Sequence, residues 1–116
     1  MARTKKQLEE LLLSKIIRME ALEMQFGIEL RNITVVYYSN DNVYINYEIV
    51  TSSGSELEKA FQLNFVVYDK NNSIRQKSTS SFYRKFALGN MQIDKFDLYL
   101  YTDIENVAKL LIYPSE

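Results

Sequence analysis

The spacing of apolar residues changes once along this chain, from steps of four and three to steps of two, and the change falls at Gly27. Before it, Leu8, Leu12, Ile16, Met19, Leu22 and Phe26 recur at helical spacing. Leu11, Leu13, Ile17 and Met24 widen the stripe, while Glu9, Glu10, Lys15, Arg18, Glu20 and Glu23 supply polar positions. The spacing predicts one amphipathic helix, capped by Thr4 and ended by Gly27, which can take the left-handed conformation that closes a helix.

After Gly27, Ile33, Val35 and Tyr37 alternate with Thr34, Val36 and Tyr38 as far as Ser39-Asn40-Asp41-Asn42, a turn-forming cluster. The return strand, 43–50, puts Val43, Ile45, Tyr47 and Ile49 on one face and Tyr44, Asn46 and Glu48 on the other. A Ser-rich loop around Gly54 leads to a strand over 57–68 with Phe61, Leu63, Phe65 and Val67 facing together. Asp69-Lys70-Asn71-Asn72-Ser73 turns the chain into a polar strand over 74–81, suited to an edge that Arg75 and Lys77 would protect from pairing. Residues 82–86 either extend that strand or form a short one. Strands over 92–101 and 106–113 complete the pattern, the last ending before Pro114.

A chain of 116 residues has room for one core. Six or seven strands with turns at this spacing predict a mainly β fold, an antiparallel immunoglobulin-like β-sandwich preceded by one N-terminal amphipathic helix. The division is 1–27 for the helix and 28–116 for the sandwich. Parallel βαβ architecture would need crossover helices, for which the pattern has no place.

Phe61-Gln62-Leu63-Asn64-Phe65-Val66-Val67-Tyr68-Asp69, the turn through Ser73-Ile74, Leu88-Gly89-Asn90 and Phe96-Asp97-Leu98-Tyr99-Leu100 together span about half the chain. That order resembles the bacterial immunoglobulin-like modules called FxLYD-like domains, in which an apolar strand ending in Tyr-Asp precedes a turn, a polar strand and a Gly-containing loop. The chain departs from it in the Asn71-Asn72 turn, where glycine would be usual, and in its N-terminal helix. The resemblance implies a non-catalytic accessory or interaction module and assigns no functional residue.

With neither cysteine nor histidine, the chain cannot form disulfides, Cys/His zinc sites, thiol nucleophiles or imidazole-based triads. Asp94 and Asp97 have opposite strand parity, which spoils a paired-carboxylate site, and three scattered glycines make no phosphate loop. No enzyme activity and no cofactor or metal are expected. Glu9 and Glu10 break the first apolar run too early for a signal peptide, and no apolar run is long enough to span a membrane, so the expected compartment is the cytoplasm. Fourteen basic against fifteen acidic residues argue against a membrane surface or nucleic acid as partner.

Two groups of residues remain. Tyr38, Tyr44, Tyr68, Tyr99 and Tyr101 fall on strand faces turned from the main apolar side. Cross-strand aromatic pairing accounts for them, and stacking on sugars or single-stranded bases is the alternative. The helical stripe is the more informative. A sandwich covers its own inner faces, and burying six large side chains is worth roughly 12 kcal/mol before entropy, so the stripe needs a surface, either its own sheet or a second copy. The expected function is a protein-interaction or assembly module, homodimeric or docking through Leu8, Leu12, Ile16, Met19, Leu22 and Phe26. The alternative is a carbohydrate- or single-stranded nucleic-acid-binding domain using the tyrosines.

Overall fold

The computed structural model describes residues 3–39, 42–51, 60–82, 91–99 and 104–116. In chain order these form α1 (Lys5–Ser14), β1 (Ile16–Arg18), α2 (Glu20–Gln25), β2 (Ile28–Ser39), β3 (Asn42–Thr51), β4 (Phe61–Asp69), β5 (Ile74–Phe82), β6 (Met91–Tyr99), a 3-10 turn (Ile104–Asn106) and β7 (Val107–Ser115). The chain is mainly β. One sheet has the order β1-β7-β4-β5 and the other β2-β3-β6.

Alternation decides which faces meet. Val43, Ile45, Tyr47 and Ile49 of β3 are buried, as are Phe61, Leu63, Phe65 and Val67 of β4, and they join one core. Tyr47 packs on Phe65 and edge-on against Phe82, with ring centroids 6.1 and 6.5 Å apart, so the two sheets face each other through aromatic contacts.

β2 carries the main irregularity. Its register with β3 shifts between Arg31 and Thr34, and Asn32 takes a left-handed φ of 52°. The extra residue makes a bulge, which exchanges the two faces of the strand. Ile28 and Leu30 point inward before it and Val35 after it, so the core pattern passes from even to odd positions.

The single helix expected over the first quarter is corrected. Helix α1 stops at Ser14, Ile16–Arg18 pairs with Leu110–Ile112 of β7, and the six-residue α2 comes next. Two adjacent β-branched isoleucines fit a strand at least as well as a helix, and pairing with an otherwise open sheet edge outweighs a weak helical preference. The pairing is parallel, so the expectation of wholly antiparallel sheets is corrected as well. Gly27 does make the turn expected of it, at a φ of 70°.

Strand limits move for local reasons. β2 starts at Ile28, five residues before its clear alternation, because the bulge hides the earlier inward pair. β7 runs through Pro114 to Ser115, and the strand expected over 57–68 is described only from Phe61.

Candidate docking surface

The N-terminal segment forms a strap along one side of the sheets. Thr4 opens α1 with a capping box: its hydroxyl accepts the Gln7 N–H at 3.2 Å, and the Gln7 side chain accepts the Thr4 N–H at 2.9 Å. α1 then lies against β2 and the 3-10 turn, with Leu12 completely buried in the core. At Lys15 the helix ends, and the Lys15 carbonyl accepts the Leu110 N–H at 2.9 Å, which starts β1 on the edge of β7. The Lys15 ammonium donates to the Ile104 carbonyl at 3.0 Å. Burial holds its pKa below the ordinary lysine value, with Lys70 and Arg3 adding to the effect and Glu105 opposing it.

Two carboxylates of the strap reach the outer edge of β2. Glu9 accepts the Tyr37 N–H at 2.8 Å, and Glu23 accepts the Leu30 N–H at 3.0 Å. Residues facing one edge of a strand are spaced by two, so a separation of seven requires the one-residue bulge between them. Glu23 is almost wholly buried and is also held by both Nε and a terminal nitrogen of Arg18. That bond to Glu23 raises the already high pKa of Arg18 against the opposing effect of burial. A depression of about 270 Å³ lies here, lined by Arg18, Glu20, Glu23, Met24, Ile28 and Glu29. Both Glu23 oxygens are engaged by groups of the fold, Oε2 by Arg18 and Oε1 by Arg18 and the Leu30 N–H.

The six stripe residues divide. Leu12 and Phe26 are core, Phe26 tilted against Phe61 with centroids 6.0 Å apart. Leu8 and Ile16 are half-buried against that core, Leu22 is half-buried, and Met19 is exposed. Leu13, Ile17, Met19 and Met24 of the strap are each exposed, Met24 at 78%. Three of these, Leu13, Ile17 and Met24, entered the sequence pattern only as residues widening the stripe. Their own spacing of four and seven was the available signal. Nothing in the sequence distinguished Glu9 and Glu23 from ordinary solvated positions.

Of the four candidate tyrosines on described strands, Tyr38, Tyr44 and Tyr99 belong to the sheet β2-β3-β6 and Tyr68 to the other. Tyr38 and Tyr44 pair edge-on with centroids 6.0 Å apart, on β2 and β3. Tyr68 lies on β4, in the other sheet, with the Lys109 ammonium 4.6 Å from its ring centre. Tyr99 ends β6, and Tyr101 lies outside the described residues. Among the described residues there is no cluster of three or more acidic, His or Cys side chains placed to hold a metal, and no helix is long and apolar enough to cross a membrane.

No protein-family model, curated protein or solved structure matches the chain.

Proposed function

We propose that this protein is a non-catalytic assembly module of immunoglobulin-like type, akin to the bacterial FxLYD-like domains, that associates with a second copy through the outward side of its N-terminal strap. The strand orders β2-β3-β6 and β7-β4-β5, in which hairpin strands and later strands return to alternate sheets, support the immunoglobulin-like reading. The function rests on one observation: Leu13, Ile17, Met19 and Met24 are four of the seven large apolar side chains exposed among the described residues, and all lie within twelve positions of sequence. Scattered exposed apolar residues need no explanation, whereas a cluster on one short segment marks a contact surface. The strap's buried side is already occupied by its own sheets, so association uses the opposite side from Leu12 and Phe26.

Light scattering coupled to size exclusion tests this. The intact chain is expected to run as a dimer, and Ile17→Glu and Met24→Glu as monomers with unchanged circular dichroism. A monomeric intact chain at every concentration overturns the proposal. The carbohydrate or single-stranded nucleic-acid reading is favoured only by Tyr38, 59% exposed beside Tyr44. It predicts tyrosine fluorescence quenching by oligosaccharides or oligonucleotides that Tyr38→Ala removes.

A further inference from the structure

The strand edges of the two sheets are not treated alike. The β2 edge is occupied by the carboxylates of Glu9 and Glu23. The β7 edge is covered by β1 over Leu110–Ile112, and beyond Ile112 a proline blunts it. Because the Leu110 N–H faces β1, alternation turns Ile112 and position 114 the same way, and Pro114 has no N–H to offer there.

The same alternation, carried across the sheet, reaches the opposite edge. Leu111 and Tyr113 face β4, so their register partners Val66 and Asn64 face back to β7, and Leu63 and Phe65 face β5. Their partners Ser80 and Ser78 therefore spend their backbone groups on β4, while Lys77, Thr79 and Ser81 direct theirs outward. The register is unbroken from Phe82 to Gln76, and no strand pairs with this edge among the described residues. The Lys77, Thr79 and Ser81 side chains are exposed, and two of the three are small.

Charge states what such an edge would accept. Between Asp69 and Asp94 the chain has Lys70, Arg75, Lys77, Arg84 and Lys85 and no acidic residue, although its net charge is −1. Arg75 and Lys77 make no ion pair among the described residues. Antiparallel pairing of this edge with its own copy about Lys77 would bring like charges together, so the basic residues exclude self-pairing while attracting acid.

We propose that the outer edge of β5 takes an extended acidic peptide as an added strand, its backbone pairing with Lys77, Thr79 and Ser81 and its carboxylates meeting Arg75 and Lys77. A peptide supplies the ladder of N–H and C=O groups that this edge lacks, which a nucleic acid does not.

The probe is a blocked ten-residue peptide of alternating Glu and Val, titrated by fluorescence anisotropy into the full-length protein, with amide hydrogen exchange read on the complex. Binding is expected, with slowed exchange at Lys77, Thr79 and Ser81, and is expected to weaken at least tenfold in Lys77→Glu. Thr79→Pro removes an outward N–H that the native ladder does not use, so the variant should fold and lose the peptide. Equal binding of an alternating Lys-Val peptide overturns the proposal, as does binding without protection at those amides. Oligothymidylate binding that displaces the peptide and protects no edge amide assigns the basic residues to nucleic acid instead. Light scattering on the same samples reports dimerisation through the strap separately, since Ile17→Glu and Lys77→Glu alter different edges.

Discussion

The Oε1 atom of Glu23 accepts the backbone N–H of Leu30 at 3.0 Å, in a setting where the carboxylate is only 1% exposed and its other partner is Arg18. A short helix thereby fixes the start of β2. Replacing Glu23 by alanine leaves the Leu30 N–H buried without an acceptor and Arg18 without its counter-charge. The expected cost is about 3 kcal/mol. Glu23→Gln keeps a carbonyl for Leu30 but gives up the charge and the Arg18 Nε bond, since its amide nitrogen cannot accept, so a smaller loss of about 1–2 kcal/mol is expected. Urea unfolding of the two variants checks the order; equal costs would show that the Leu30 contact contributes nothing.

Leu12 ties the strap to the core from the other side. Truncating it to alanine is expected to cost about 3 kcal/mol, as for a fully buried leucine. Removal of residues 1–26 should do more than subtract a helix, because it uncovers the β7 edge and takes Phe26 and Leu12 from the core together. The truncated chain is expected to lose cooperative thermal unfolding. A truncated protein that melted like the intact one would show the strap to be an appendage.

How far the sequence could be read depends on the same residues. The inward faces of β3 and β4 were legible because Val43 to Ile49 and Phe61 to Val67 place an apolar residue at every second position, although Asn64 and Val66 on the other face of β4 are buried too. The turn after Asp69 was legible as well. There Asp69 Oδ1 accepts the Asn71 and Ser73 N–H groups at 2.9 and 3.1 Å, and Asn72 takes the left-handed φ of 62° that glycine would usually supply. The strap was not legible as three elements. Leu8, Leu12 and Ile16 are spaced by four whether or not the helix continues, and what stops it at Ser14 is the free edge of β7, on the order of a hundred residues away. Periodicity reports local preference, and a three-residue parallel strand is a tertiary event.

The bulge in β2 makes a sharper claim about Asn32. Its left-handed φ of 52° is tolerated by asparagine, free for glycine and costly for a β-branched residue. Asn32→Gly loses only the exposed bond to Glu48 and should stay within about 0.5 kcal/mol of the parent. Asn32→Val should cost about 1–2 kcal/mol. Denaturant midpoints read the difference directly, and a valine variant as stable as the glycine one would mean that the bulge residue carries no conformational demand.

Lys15 gives stability a dependence on alkaline pH whose sign is set by burial. Its folded pKa lies below the ordinary value of 10.5, chiefly because the ammonium is partly desolvated where it meets the Ile104 carbonyl. Between the folded value and 10.5, the unfolded chain holds a proton that the folded chain has released. Stability therefore rises with pH across that interval for this group, the reverse of a lysine stabilised by an acidic partner. The quantity to measure is the difference between the parent and Lys15→Met. The unfolding free energy of the parent should gain on that of the variant as pH climbs toward 10.5 and then run parallel to it. A difference that stayed flat, or narrowed in favour of the variant, would place the Lys15 ammonium in water rather than against the 3-10 turn.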